Sequence, residues 1–240
     1  MIVNQQKIWR TLPEVVEIDS DGEVVYRQRV WGSFSQPLKL HNYPFDRHLF
    51  SIQLLTTGYT PKEIEIVPDT KLASGISQQL SITDWEILNF TAEPHPFKPS
   101  SEIRTFAGFA ISFEAERKTG YFIAKVFLPL ILIVAMSWVV FWIDPAESGT
   151  QISVAITTML TLIAYRFAVD TAVPKISYLT RLDYFILLST ILVYASLIEV
   201  IITSSFARRE KLVQAQAIDR WMRWVFPSAF ALMALKTLVF

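Results

Sequence analysis

Four long apolar runs in the second half of the chain constrain its fold more than any other feature. They cover residues 121–143, 150–169, 183–206 and 221–240. Each is long enough to cross a bilayer as an α-helix, which takes about 20 residues. The chain is also 52% hydrophobic, which is high for a soluble domain. The sequence therefore predicts a transmembrane domain of four helices over residues 120–240.

Charged residues within these runs are few, and they are Lys125, Arg166, Glu199, Arg223 and Lys236. Three of them lie near the ends of a run, where a long basic side chain can extend to the membrane surface. Glu199 lies deeper, and a carboxylate at that depth is a candidate functional group. The alternative is a structural glutamate that forms hydrogen bonds between helices.

The connection between the third and fourth runs is basic, with Arg208, Arg209, Lys211 and Arg220. An excess of lysine and arginine marks the cytoplasmic side of a membrane protein. Counting back from that connection places the polar half of the chain on the external side. Export needs a leader, and the opening residues MIVNQQKIW have no charged and apolar leader. We therefore expect that an N-terminal part of the protein is missing.

Residues 1–119 are polar and contain short alternating segments that predict strands. Ser20-Asp21-Gly22 is typical of a tight hairpin turn. Together the segments predict an antiparallel β-sandwich, immunoglobulin-like and partial, with no helix. The predicted strands cover residues 14–19, 23–34, 49–56, 63–67, 85–93 and 103–116.

The second apolar run carries a stripe of residues at helical spacing. Its members are Ser153, Thr157, Leu160, Ala164 and Phe167, and steps of four and three place them on one face. The stripe is hydroxylated at one end and apolar from Leu160 onward, which is typical of a pore with a polar filter and a hydrophobic gate. The alternative is that the hydroxyl groups pack against other helices or bond to carbonyls of their own helix.

Composition argues against several other functions. The net charge is zero, so nothing indicates a nucleic-acid partner. The chain has no cysteine, and His41, His48 and His95 lack the spacing of metal ligands, so we expect no metal and no cofactor. The apolar runs contain no clustered histidines, paired carboxylates or inverted repeat, which makes an enzyme or a transporter the weaker alternative.

Several short motifs occur in a fixed order along nearly all of the chain. Tyr43-Pro44-Phe45-Asp46 forms a compact turn flanked by Gln36 and Phe50. Arg117 precedes the first apolar run and lies twelve residues before Pro129. The remaining motifs are the run Thr157 to Phe167, the linker Val173-Pro174-Lys175, and Phe226-Pro227 in the fourth run.

In these motifs the chain resembles the pentameric ligand-gated ion channels of the Cys-loop receptor superfamily, in their prokaryotic, cysteine-free form. The turn resembles the aromatic-Pro-Phe-Asp signature loop, which two cysteines close in animal members. The resemblance implies a homopentamer in which the second helix of each subunit lines a pore for small ions. It also implies a multi-pass protein of the inner membrane, with its ligand-binding sandwich on the periplasmic side and lipid around its helices.

The resemblance also assigns roles along the pore helix. Leu160 would form the hydrophobic gate and Phe167 an outer constriction, with Ala164 between them. Thr157 and Ser153 would form polar rings below the gate.

By the same resemblance, Glu147, Thr150 and Asp170 would set the charge selectivity of the pore. Rings of Glu147 and Asp170 would attract cations. Cation-selective members carry a glutamate and anion-selective members carry Pro-Ala-Arg where this chain has Gly149-Thr150-Gln151. This segment matches neither class, so the acidic rings favour cations, with a poorly selective or anion-permeable pore as the alternative.

The residues that would bind an agonist lie in the polar half of the chain. Those that would couple binding to opening of the pore lie in the polar half and in the linker after the second apolar run. By resemblance, Asp46 pairs with Arg117, while Pro44 and Phe45 contact Pro174 and Lys175 to transmit gating. Aromatic side chains of the external domain would hold an amine by cation–π contact. The candidates are Tyr59, His95 and Phe97. The agonist would be a small molecule or a proton. The alternative function is a truncated subunit that assembles with others, or modulates them, without gating normally.

Overall fold

The computed structural model describes residues 1–69, 75–77, 83–99, 104–171 and 173–238. It divides the chain into two compact units. One contains Met1–Lys39 and Arg47–Arg117, and the other contains Leu40–Asp46 and Lys118–Phe240. We call them the strand unit and the helical unit. The sequence analysis placed residues 40–46 with the sandwich, whereas in the structure this segment packs with the helices.

The strand unit contains seven strands in the described residues, and every pairing between them is antiparallel. β1 pairs with β4, β2 pairs with β3, and β7 lies between β5 and β6. Strands thus precede the helices, as predicted. The strands are β1 (Gln5–Arg10), β2 (Val16–Ile18), β3 (Val24–Tyr26), β4 (Val30–Phe34), β5 (Arg47–Leu55), β6 (Trp85–Pro94) and β7 (Gly108–Arg117).

The single strand predicted over residues 23–34 is wrong, because the structure divides it into β3 and β4. The first half pairs with β2 across the turn at Gly22, whose φ of 89° suits a glycine. The second half pairs instead with β1. The chain changes partner between them, and alternation of side chains within one segment carries no information about such a change.

The strand predicted over residues 63–67 is also wrong, since this segment forms a turn followed by irregular chain. The backbone N–H and hydroxyl of Thr60 donate to Glu63 Oε2 at 2.8 and 2.9 Å. These bonds, led by the one from the backbone N–H, lower the pKa of Glu63. The last predicted strand begins later than expected, at Gly108, and its predicted first residue, 103, lies outside the described residues.

The helical unit begins with a continuous helical segment, Gly120–Trp142. This first segment contains α1 (Gly120–Phe122), a π-helical turn (Ile123–Phe127), α2 (Leu128–Trp138) and a 3₁₀ turn (Val139–Trp142). The other helices are α3 (Ser148–Asp170), α4 (Arg181–Arg208) and α5 (Leu212–Leu238).

Three helical segments are long and apolar enough to cross a membrane, among the residues that the structure describes. They are Gly120–Trp142, Pro145–Asp170 and Arg181–Arg208. The fourth predicted span, residues 221–240, forms most of α5 but does not reach the same hydropathy, and its last two residues lie outside the described part.

The core of the helical unit is aromatic and aliphatic. Phe185 of α4 is fully buried, with its ring 5.2 Å from that of Phe127 and 5.9 Å from that of Phe230 on α5. Leu130 and Val134 of α2 are fully buried in the same cluster. These contacts join the first segment, α4 and α5, and they leave α3 as the helix with the smallest buried share among the three membrane candidates.

Candidate functional site

α3 has two unlike faces. Its buried residues are Gln151, Ala155, Thr158, Leu162 and Val169. All members of the predicted stripe, Ser153, Thr157, Leu160, Ala164 and Phe167, are exposed instead. Leu160 is 61% exposed and Phe167 is 71% exposed. The stripe therefore lies on the face of α3 that its own chain does not cover.

The hydroxyl groups of this face are partly engaged within the helix. Thr157 Oγ1 donates to the Ser153 carbonyl at 2.8 Å, and Thr161 Oγ1 donates to the Thr157 carbonyl at 2.8 Å. This is the back-bonding that the sequence left open as an alternative. The hydroxyl oxygen keeps its lone pairs as acceptors, so the face still presents polar atoms to whatever contacts it.

The residues predicted to set charge selectivity are all exposed. Glu147 immediately precedes α3, where the helix dipole favours a carboxylate, and Asp170 is its last residue. Thr150 lies in the first turn and lines a groove of about 570 Å³ together with Ser153 and Thr157. Glu147 and Thr150 thus lie at one end of the stripe and Asp170 at the other.

The signature loop packs against helical elements of its own unit. Tyr43 is buried, and its ring meets that of Phe122 edge-on at 5.2 Å. Phe45 stacks against Phe127 at 5.9 Å. The Tyr43 carbonyl accepts a hydrogen bond from the Leu182 N–H in the first turn of α4, at 3.2 Å. The loop therefore touches the first segment and the start of α4 at once.

The linker between α3 and α4 contacts the segment Leu40–Asp46 through Tyr178, a residue that the sequence analysis missed. The Tyr178 hydroxyl accepts from the Leu40 N–H at 2.9 Å, and the Tyr178 ring stacks on His41 at 4.1 Å. Pro174 and Lys175, the predicted contacts, are exposed and line a groove of about 580 Å³. An aromatic residue next to the predicted linker motif was the only sequence signal for Tyr178.

Asp46 and Arg117, the two residues predicted to form an ion pair, belong to different units, and each is described within its own unit. Asp46 is 2% exposed in the helical unit. In the strand unit, the Arg117 guanidinium lies over the ring of Trp85, 4.3 Å from its centroid. Pairing between Asp46 and Arg117 stays a prediction.

A second missed residue connects α3 to the first segment. The Tyr165 hydroxyl donates to the Val126 carbonyl at 2.5 Å. Val126 lies in the π-helical turn just before Pro129. Pro129 has no N–H, but in a helix that N–H would pair with a carbonyl four or five residues earlier, so the proline does not account for the bond to Val126. No sequence signal identified this contact.

The three candidate ligand residues are brought together by their backbones. The Tyr59 carbonyl accepts from the Ala107 N–H at 3.0 Å, and the His95 N–H donates to the Gly108 carbonyl at 2.9 Å. Phe97 exchanges both backbone hydrogen bonds with Phe106, at 3.0 and 2.8 Å. Positions 59, 95 and 97 are thus held on three consecutive residues, 106–108, at the start of β7.

Gly108 is required at this junction. A Cβ atom there would lie 2.4 Å from the His95 carbonyl oxygen, which is too close for any side chain. Of the three ligand candidates, Tyr59 is 52% exposed and His95 is exposed, while Phe97 is half-buried. Tyr59 and His95 can therefore reach a ligand more easily than Phe97.

The chain is similar to known proteins over most of its length. Residues 126–214 match the family described as the neurotransmitter-gated ion-channel transmembrane region. The chain is 29% identical over 186 residues to a gamma-aminobutyric acid receptor subunit beta of Caenorhabditis elegans, covering 78% of this chain and 34% of that protein. It is 32% identical over 200 residues to a gamma-aminobutyric acid receptor subunit gamma-1 of Rattus norvegicus, covering 80% of this chain and 41% of that protein.

These relatives are receptor subunits and not enzymes, which confirms the prediction that the chain is not an enzyme. They are animal proteins, so the prokaryotic form stays a prediction. The chain spans only 34% to 41% of the length of the two relatives. The comparisons thus show a chain that is similar to ligand-gated ion-channel subunits over about four fifths of its length, with residues 126–214 matching their transmembrane region.

Proposed function

We propose that the chain is a subunit of a homopentameric ligand-gated ion channel whose pore is lined by α3. The observation that carries this proposal is the exposed stripe from Ser153 to Phe167 opposite a buried face of the same helix. A helix that faced only lipid would have no use for hydroxyl groups along one exposed face. Five copies of this face around an axis would give each stripe residue a water-facing position.

The gate is the ring of Leu160. Five leucines at close quarters exclude water, and a small tilt of the helices would admit it. Ser153 and Thr157 form polar rings on one side of this gate. On the other side, Ala164 leaves space between the gate and an outer constriction at Phe167.

The charge rings favour cations. Glu147 and Asp170 place carboxylates at the two ends of the stripe, and five copies of each raise the local concentration of cations. Thr150 adds a neutral polar ring near Glu147. An anion-permeable pore is the alternative, and the reversal potential separates the two.

The strand unit would bind the agonist at Tyr59, His95 and Phe97. An aromatic ring and an imidazole suit a small molecule that carries an amine, by cation–π contact. The relatives are named for gamma-aminobutyric acid, which carries such a group. A proton is the other agonist that these residues allow.

Gating would pass through the signature loop. Pro44 and Phe45 belong to a segment that contacts the first helical segment, α4 and the linker from α3, so movement of the loop reaches the pore helix from both ends. The ion pair of Asp46 and Arg117 would connect this loop to the strand unit. Pro174 and Lys175 lie in the same linker as Tyr178 and complete the coupling surface.

The membrane arrangement follows from the same proposal. α5 would be the fourth span, with Arg208, Arg209 and Lys211 before it in the cytoplasm and Arg220 within its first turns. The strand unit would lie outside, in the periplasm if the protein belongs to an inner membrane, and lipid would surround the helices.

A truncated or modulatory subunit is the second candidate function. It is favoured by β2 and β3, which leave Val16 50%, Ile18 71% and Val24 60% exposed. Apolar residues on an exposed sheet face commonly mark a surface that another chain covers. Such a chain would join pentamers without conducting alone.

The experiment is reconstitution of the purified chain in planar bilayers, with reversal potential recorded under a salt gradient. Leu160→Ser should increase the open probability, because a hydroxyl ring admits water at the gate. Leu132→Ser is the matched control, since Leu132 of α2 is the same residue with the same exposure of 61%. Equal currents from both variants and the wild type would contradict the gate. Silence from all three proteins, with pentamers present in detergent, would favour the modulatory subunit.

A further inference from the structure

Three buried polar side chains from three helices meet in the helical unit. They are Gln151 of α3, Glu199 of α4 and Asp219 of α5, which are 0%, 7% and 1% exposed. Gln151 Nε2 donates to Asp219 Oδ2 at 3.3 Å. The carboxyl groups of Glu199 and Asp219 lie next to each other. We call Glu199 and Asp219 the acid pair.

The acid pair lacks donors for most of its oxygen atoms. Both carboxyl oxygens of Glu199, Asp219 Oδ1 and Gln151 Oε1 are buried without a hydrogen-bond partner among the described residues. An ionised carboxylate can only accept, so two of them cannot bond to each other. Two buried charges side by side also repel strongly in a medium of low dielectric. The geometry is therefore incompatible with two ionised groups.

We propose that Glu199 and Asp219 bind one proton between them and that this proton joins α4 to α5. The shared proton supplies the missing donor, so that one carboxyl group donates to the other. Gln151 Nε2 already donates to Asp219, which favours Asp219 as the acceptor of the shared bond and Glu199 as the acid. One negative charge then stays on the pair instead of two.

Two charged side chains of opposite sign act on the pair. Among the described residues these are Arg223, which favours the negative charge on Asp219, and Asp144, which opposes it. Arg223 is anchored nearby, with Nε donating to the Phe141 carbonyl at 2.8 Å and the guanidinium 4.6 Å from the centroid of Trp142. The Asp144 carboxylate is engaged with the Ala146 N–H at 3.0 Å. With both groups of the pair ionised, three carboxylates would face this one guanidinium, and with one proton bound only two do.

Gln151 of α3 connects the proton site to the rest of the helical unit. Besides Asp219, Gln151 Nε2 donates to the Ile143 carbonyl at 3.0 Å and the Val140 carbonyl at 3.3 Å. Gln151 thereby fixes the first turn of α3 to the end of the first segment and to the acid pair. The proton site itself does not depend on conduction, but any effect on conduction rests on the proposed function.

Infrared spectroscopy of the purified chain in detergent tests the proposal directly. A protonated carboxylic acid has its own carbonyl stretching band, distinct from that of a carboxylate. At neutral pH we expect this band in the wild type, and it should disappear as the pH is raised. Glu199→Gln and Asp219→Asn should each remove the neutral-pH band completely, because either variant leaves one carboxylate with an amide donor. Glu210→Gln, which changes an exposed glutamate, should leave the band unchanged.

Each outcome decides the proposal. Absence of the band from the wild type at neutral pH would overturn it, because both groups would then be ionised. Persistence of the band in either variant would also overturn it, because the remaining group would be protonated independently. Should a variant fail to fold, seen as aggregation on size exclusion, the pH titration of the wild-type band still gives the answer. None of these readouts requires a conducting channel, so failure here is distinguishable from failure of the proposed function.

Discussion

The hydrogen bond from Tyr165 to the Val126 carbonyl gives the sharpest test of how α3, the proposed pore helix, is controlled. Tyr165 lies between the proposed gate at Leu160 and the constriction at Phe167, but on a half-buried part of α3. Its partner lies in the π-helical turn of the first segment. Tyr165→Phe removes the hydroxyl and keeps the ring, so the change is confined to this bond.

The size of the effect follows from the strength of such bonds. A hydrogen bond of this type contributes about 0.5–1.5 kcal/mol net. A change of ~1.4 kcal/mol alters an equilibrium tenfold, so a bond present in only one gating state would shift the ratio of open to closed channels by about two- to tenfold. The unitary conductance should stay the same, because the ring and the exposed stripe are unaltered.

Single-channel recording in planar bilayers measures both quantities. Tyr194→Phe on α4 is the matched control, because it removes a hydroxyl from a tyrosine that is 52% exposed. An open probability for Tyr165→Phe equal to that of the wild type and the control would refute the reasoning. A changed unitary conductance would also refute it, since the hydroxyl would then act on permeation instead of gating.

Two further predictions concern stability. Phe185→Ala should destabilise the helical unit by about 3–5 kcal/mol through the cavity that it leaves, measured as thermal unfolding in detergent, and a loss below ~1 kcal/mol would contradict the core contacts. Glu63→Gln should remove the stabilisation that the turn after Thr60 gains from hydrogen bonds to the Glu63 carboxylate. Acid should remove the same stabilisation by protonating that carboxylate. Because hydrogen bonds lower the pKa of Glu63 from its ordinary value of 4.5, its stabilisation is present above pH 4.5 and is lost as the pH falls through the lowered pKa. The difference in melting temperature between wild type and Glu63→Gln should therefore shrink on acidification, and a constant difference would contradict the assignment.

The helices and the face of α3 were predictable because both depend on local sequence. Runs of about 20 apolar residues specify helices in a bilayer, and a repeat of 3.6 residues specifies which side chains share a face. Leu160 and Phe167 could therefore be placed on the exposed face without knowledge of any neighbour. The lower hydropathy of α5 makes the prediction of a membrane span from local sequence weaker for this helix than for the other three.

Contacts between distant segments could not be read in the same way. Gln151 and Asp219 are 68 residues apart in sequence, and no spacing rule links them. Tyr165 and Val126 are 39 residues apart, and no spacing rule links them either. The packing of Leu40–Asp46 with the helices depends on aromatic contacts from Phe122 and Phe127, which a pattern of alternating side chains does not reveal.

The position of β7 gives the strand unit a mechanical property. β7 is the middle strand of its sheet, and it pairs with β5 through Gly108–Glu116 and with β6 through Phe109–Arg117. At the usual rise of about 3.3 Å per strand residue, its ten residues extend over about 33 Å. The residues at its start hold the backbones of Tyr59, His95 and Phe97, and its last residue, Arg117, lies three residues before the first helical segment. Under the proposed function, a ligand that drew those three residues together would act at one end of β7, while the other end of β7 is joined through the chain to the first helical segment.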